Sequence, residues 1–296
     1  MDLFFHIQRQ PNTILTTSMR LLPSPPFQPL LRFNTLSRAI STKVMSSPSI
    51  PIPSYPLRQR RFAPLKPERK SESDAPALEG IVFDVDGTLC LPQHYMFSEM
   101  RSALGIDKSI DILHHIRDLP TPEARLAAAD KIKAIEREAM SSQQPQPGLV
   151  QLMDYLQARG VRRALCTRNF ETPVLHLIQT HIPAHEKDFL PIITRETPDL
   201  LPKPDPAGIL HIAQAWKVGA RAEHLIMVGD SIDDMTAGHM AGAATVLLLN
   251  EKNGWLKDHE HTDLSINRLD NLVDILENGF VGHRGGDKPA TSDREG

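Results

Sequence analysis

Two cysteines in 296 residues cannot build a disulfide framework, and neither sits at metal-ligand spacing, so neither an oxidising compartment nor a thiolate zinc site is indicated. Uninterrupted apolar runs are short as well; none approaches the roughly 18 residues that a membrane helix needs. Charge of one sign is scarce, the net value being −3, and aromatics are only 5%, with no basic stripe interleaved among them. Such a surface has little to hold a polyanion, and nucleic acid is not an expected partner. What remains is a chain with 40% hydrophobic residues, enough to bury a core of one or two domains, and reduced thiols suit it.

The average hides a division. Residues 1–67 carry nine basic residues and a single acidic one, so the remainder is distinctly acidic. Residues 1–76 hold twelve of the 25 prolines and no sustained helical or alternating period. Such a segment buries too little surface to offset its ordering entropy, and 1–76 is expected to be a disordered leader outside the fold. From Met19 onward Arg20, Arg32, Arg38 and Lys43 lie among Leu, Phe, Ser and Thr with no acid, the composition of a mitochondrial transit peptide. Initiation at Met45 would omit all four charges and leave a cytoplasmic form.

Beyond Glu79 short apolar runs alternate with helical periods. GIVFD (80–84), VRRALCT (161–167), DFLPII (188–193), HLIMVGD (224–230) and ATVLLL (244–249) read as buried strands. Leu149, Leu152, Met153 and Leu156 fall at i, i+3, i+4 and i+7, as do Ile209, Ile212, Ala213 and Trp216. The fold class is therefore α/β: a doubly wound, Rossmann-like parallel sheet whose ligand crevice lies outside the carboxyl ends of the strands. The stretch between Asp84 and Pro147 is too long for a crossover. Thr121 followed by Pro122 predicts a helix start, with Ala128, Ile132, Ile135 and Ala139 continuing at helical spacing, and 110–119 reads as a second helix. The domains expected are a core of 79–90 and 148–279, a small helical cap of 91–147, and a disordered tail of 280–296.

The strand ends carry the chemistry. GIVF runs into Asp84-Val85-Asp86-Gly87-Thr88, two carboxylates two residues apart, which a turn at Gly87 can direct into the crevice together. Close carboxylates repel unless a cation lies between them or one keeps its proton and acts as an acid. A calcium loop is excluded, because Leu89 stands where Gly is required. Thr167, Lys203 in PKPDP, and the run Gly229-Asp230-Ser231-Ile232-Asp233-Asp234 end or follow other strands. A hydroxyl, an ammonium and further carboxylates at one sheet edge suit magnesium and a phosphoryl group. Taken singly, each motif has an ordinary reading as a β-favouring residue, a loop or a helix cap.

In their joint order these motifs resemble the haloacid dehalogenase superfamily over roughly residues 79–277, specifically its phosphoglycolate phosphatase-like phosphatases with a small helical cap. The resemblance implies that Asp84 is the nucleophile and Asp86 the general acid and base. It further implies that Thr167 and Lys203 hold phosphoryl oxygens and that Asp84, Asp230 and the backbone carbonyl of Asp86 bind Mg²⁺. Asp234 would support Lys203 or the metal, with Asp233 as an alternative. The expected activity is hydrolysis of a small-molecule phosphate ester through an aspartyl phosphate. A phosphomutase, or a non-catalytic regulatory protein on the same fold, are the alternatives. The chain departs from the pattern at Arg168-Asn169, where relatives place small polar residues, and in its short cap. Arg168 could bind an anionic part of the substrate or be a solvated loop residue. His94, Arg101, His114 and His115 are expected to be surface or packing residues, Cys166 a core residue, and His181 and His185 separated by a helix break at Pro183.

Overall fold

Runs such as LIMVG and ATVLL offer no polar face, so they are stable only as strands covered on both sides, and that is how they fold. The computed structural model describes residues 60–70 and 73–282. In chain order these form β1 (Arg60–Phe62), α1 (Pro67–Lys70), β2 (Gly80–Phe83), α2 (His94–Leu104), α3 (Ile112–Asp118), α4 (Pro122–Met140), α5 (Leu149–Ala158) and β3 (Arg162–Cys166). There follow α6 (Glu171–His181), β4 (Phe189–Ile193), α7 (Ala207–Ala215), β5 (Leu225–Gly229), α8 (Ile232–Ala241), β6 (Ala244–Leu248), β7 (Leu264–Ile266), α9 (Asn271–Asn278) and β8 (Phe280–Gly282). The transit-peptide reading falls on residues outside those described. Among the described residues, no helix is long and apolar enough to cross a membrane.

Six strands form one parallel sheet in the order β4-β3-β2-β5-β6-β7. The chain starts at the centre with β2, winds outward to β4, then returns to the other side of β2 with β5. That reversal is the switch point of a doubly wound fold, and the crevice opens beside the carboxyl ends of β2 and β5. Pro191 lies in β4, and β4 is an edge strand, where a residue without an N–H costs no central ladder bond.

Alternation along each strand sorts its side chains between two cores. Ile81, Phe83, Leu165, Ile226 and Val228 pack with Leu152, Leu156, Leu177 and Leu272 from α5, α6 and α9. Val82, Ala164, Cys166, Leu225 and Met227 face the other way, onto Ile209, Ile212 and Ala237 from α7 and α8. Each fully buried Leu, Ile or Phe contributes about 1.5–3 kcal/mol of transfer free energy.

The segment between β2 and α5 has its own small core of Met96, Met100, Ile112, Ile132 and Ala139. Thr121 caps α4, its hydroxyl accepting from the Ala124 N–H at 3.1 Å, as the Thr-Pro pair predicts. The sequence reading overlooks α2, which has no side-chain cap and buries only Met96 and Met100.

Two boundaries are corrected. Arg60–Phe62, assigned to the leader, pairs antiparallel with Phe280–Gly282, assigned to the tail. Phe62 and Phe280 are both buried, their ring centroids 5.7 Å apart. A composition window cannot detect a ladder closed between residues more than 200 positions apart.

Candidate active site

Asp84 stands one residue past β2, its N–H donating to the Val228 carbonyl at 2.9 Å, so sheet pairing itself aims the first carboxylate at the crevice. The chain then turns at Gly87, where φ is +85° and a Cβ would lie 2.3 Å from Asp230 Oδ2. Only glycine lets the backbone approach that carboxylate. Gln146 secures the turn by donating to the Gly87 carbonyl at 2.8 Å.

Lys203 is buried between two of the acids, its Nζ 2.6 Å from Asp84 Oδ1 and 2.5 Å from Asp234 Oδ1. Burial pulls its ammonium down, but the charges of Asp234 and Asp84 outweigh that and hold it protonated. Asp234 uses its other oxygen to accept from the Ser231 N–H at 3.0 Å and the Ser231 hydroxyl at 2.6 Å, closing a capping box at the start of α8. Both its oxygens are therefore engaged. Asp233, one residue away on the helix, turns elsewhere and pairs with Arg168.

One oxygen each of Asp84, Asp230 and Asp234 lies within 4.8 Å of the others. Burial, then the charges of its neighbours, pushes Asp84 up to about 7 and Asp230 up to about 8. Asp230 is oriented by Asn250, which donates to its carboxylate at 2.9 Å, while Asn253 donates to its backbone carbonyl at 2.8 Å. Asp86 lies outside this trio and accepts from Asn169 Nδ2 at 2.9 Å. Burial raises it despite that hydrogen bond. Thr167 stands one residue past β3, its hydroxyl accepting from the Asn169 N–H at 3.1 Å. Cys166 is buried as expected, and burial pushes its thiol up to about 11.

The five aspartates, Thr167, Lys203 and the three asparagines line one cavity of about 580 Å³ between the carboxyl edge of the sheet and the inserted helices. Arg168 is not a solvated loop residue: it joins Asp233 of the sheet domain to Asp111, the N-cap of α3. The sequence reading missed Arg195 and Glu136, a buried bidentate pair with both contacts at 2.5 Å, which ties the loop after β4 to α4. It also missed Asn169, Asn250 and Asn253. Asn250 follows the end of β6, so a search of every strand end for polar residues could have found it. Nothing in sequence separation points from Arg195 to Glu136. Glu136→Ala would leave Arg195 buried beside Phe170 without its carboxylate, and stability is expected to fall by about 3 kcal/mol in urea denaturation. A loss below about 1 kcal/mol would mean that the pair is dispensable.

Of the histidines set aside, His185 is buried away from the cavity between Asp154 and Asp188, and α6 does end before Pro183. His114 and His115 lie on α3 outside the cavity lining, whereas His94 and Arg101 line it.

A Rossmann-like sheet with acids, lysine and threonine at its switch point defines a hydrolase of the haloacid dehalogenase type, and comparison with known proteins agrees. The family model described as haloacid dehalogenase-like hydrolase matches residues 78–242, and the chain belongs to that family. It is 46% identical over 204 residues to the uncharacterized hydrolase YOR131C of Saccharomyces cerevisiae, covering 68% of this chain and 92% of the relative. It is 27% identical over 186 residues to a phosphoglycolate phosphatase of Agrobacterium fabrum, covering 56% of this chain and 78% of that protein. Among solved structures, a family IA HAD hydrolase of Entamoeba histolytica superposes with a TM-score of 0.55 at 20% identity, covering 68% of this chain and all of that one.

Proposed function

We propose that the protein is a magnesium-dependent phosphatase that hydrolyses a small phosphate monoester through an aspartyl phosphate on Asp84. The observation that carries this reading is the pairing of Asp84, held 2.6 Å from Lys203, with a raised Asp86 anchored by Asn169 in the same cavity. The phosphoglycolate phosphatase relative supports the choice of phosphate chemistry.

An anionic nucleophile meeting an anionic ester is repelled by about 1 kcal/mol at 4 Å in water and about 4 kcal/mol at the lower effective dielectric of a protein surface. Lys203 offsets part of that repulsion. The donor set fits a hard divalent cation: oxygen ligands only, gathered within 4.8 Å and raised by burial and by one another. Asp84, Asp230 and the Asp86 carbonyl would hold it, with Asp234 committed to Lys203 and the α8 cap. When bound, Mg²⁺ supplies positive charge opposite the developing phosphoryl negative charge.

The Asp84 carboxylate attacks phosphorus as the bond to the ester oxygen breaks, and Asp86 gives its proton to the departing alkoxide. Asp86, now a carboxylate, takes a proton from water. That water attacks phosphorus, breaks the bond to Asp84 and releases orthophosphate. Thr167 and Lys203 hold the phosphoryl oxygens throughout.

Phosphate release from a panel of small esters with Mg²⁺ tests the reading. Isomerisation of a bisphosphate without free phosphate would mark a mutase, and inertness throughout a non-catalytic protein. Asp86→Asn is expected to lower turnover roughly 10²- to 10⁴-fold and to let a phosphorylated Asp84 accumulate, detectable by intact-protein mass spectrometry after acid quench. An unchanged rate would remove Asp86 from the chemistry.

A further inference from the structure

Among the described residues, the cations that line the cavity without being fully exposed are paired, with one exception, and it lies on the inserted helices. Lys203 is held by Asp84 and Asp234, Arg168 by Asp111 and Asp233, and Arg195 by Glu136. Lys252, also in the lining, is exposed to solvent. Arg101, near the end of α2, is half-buried and also lines the cavity, yet among the described residues no carboxylate comes within 4.0 Å of its guanidinium, the exposed Asp107 acting on it only from farther away. Its Nε is shielded from solvent and has no hydrogen-bond partner. Among the described residues, the one bond its guanidinium makes is a long 3.3 Å contact from Nη1 to the Phe97 carbonyl of its own helix. A buried N–H left unsatisfied costs about 1–3 kcal/mol, and guanidinium presents its donors as a rigid fork matched to oxyanions.

We propose that Arg101 binds a second anionic group of the substrate, a carboxylate or a further phosphate, at the end remote from the phosphoryl group being removed. The proposal rests on the phosphatase reading only in placing the scissile phosphoryl group at Asp84 and Lys203. Those two arise from the sheet and Arg101 from the insertion, with Met96, Met100, Ile112 and Ile132 lining the same cavity. A volume of about 580 Å³ is far more than a phosphoryl group fills, leaving room for a small organic skeleton with charge at both ends. Arg101 is then a specificity-determining residue, its terminal Nη donors meeting the remote anion.

The test compares 3-phosphoglycerate, glycerol 1,3-bisphosphate and glycerol 1-phosphate, which are similar in size and carry a carboxylate, a phosphate or a neutral hydroxyl at the remote end. The wild-type protein is expected to favour at least one anionic-tailed ester over the neutral one by roughly 10- to 100-fold in kcat/KM, chiefly through KM. Arg101→Gln should bring that ratio to within about threefold of unity, and Arg101→Lys, which keeps the charge, should retain part of it. Which of the two anionic esters loses more distinguishes a carboxylate site from a phosphate site. A ratio unchanged in Arg101→Gln, or a wild-type preference for the neutral ester, overturns the proposal.

Calorimetric binding of the same compounds to Asp84→Asn with Mg²⁺, with and without Arg101→Gln, separates this idea from the phosphatase reading. If the wild type hydrolyses neither these esters nor any other of the panel, the phosphatase reading fails. Tighter binding of an anionic-tailed compound that disappears with Arg101→Gln still supports the site. Equal affinities, or no binding by either protein, reject it. Melting curves of Arg101→Gln and Arg101→Lys that match the wild type exclude misfolding as the cause.

Discussion

Asp84→Asn is expected to lower phosphatase turnover by at least about 10⁴-fold, the largest effect of any single substitution in the site. Asparagine is isosteric and keeps an oxygen toward Lys203, but its amide cannot attack phosphorus. Lys203 would retain Asp234 at 2.5 Å, so the buried ammonium does not lose its last partner and the fold should stand. The same substitution should stabilise the metal-free protein. Asp84 is raised from 3.8 to about 7 by burial first, with Asp234 and Asp86 adding to it, so at pH 8 the folded chain bears the cost of ionising it. Asparagine removes that cost. Melting of the metal-free variant at pH 8 is therefore expected several degrees above the wild type, with a smaller gain at pH 5. Wild-type turnover in a normally folded Asp84→Asn would sink the nucleophile assignment outright.

Removal of divalent cations is expected to abolish turnover, and to leave a second mark on stability that needs no substrate. In the metal-free protein Asp84 and Asp230 titrate near 7 and 8 when folded, against 3.8 when exposed. The native state then binds more protons than the unfolded state, so stability falls as pH rises from about 4 to about 8. This is opposite to the usual behaviour of a salt-bridged carboxylate. A divalent cation replaces those protons with positive charge, and Mg²⁺ at millimolar concentration should raise the melting temperature clearly at pH 8 and barely at pH 5. Full activity in excess EDTA, together with melting that ignores Mg²⁺ at pH 8, would remove the metal from the site.

How far the sequence reaches is visible in particular residues. Runs such as LIMVG declare themselves because only a twice-covered strand tolerates five successive buried residues, and β2, β3, β5 and β6 were legible for that reason, while the edge strand β4 was legible as an apolar run although part of it is exposed. The last strand of the parallel sheet, β7, is only three residues long at a sheet edge, with a half-exposed start, and leaves no comparable run. Asp84, Thr167 and Asp230 were legible because a parallel α/β sheet presents its ligands where strands end, and each stands immediately after one.

By itself, then, the sequence determined five of the six parallel strands, the doubly wound sheet and the acids, hydroxyl and lysine at its carboxyl edge, since strand burial and strand-end placement are local properties of the chain. Tertiary structure alone decided between adjacent acids: Asp234 points inward to Lys203 and Ser231 while Asp233 pairs with Arg168, a difference of one helical step that composition cannot express. It also decided that Arg195 meets Glu136, that β1 closes on β8, and that Arg101 lines the cavity with no carboxylate of the described residues within 4.0 Å. Those are long-range events. A residue's spacing specifies which side of its own helix or strand it occupies, but charge compensation depends on which other elements pack there.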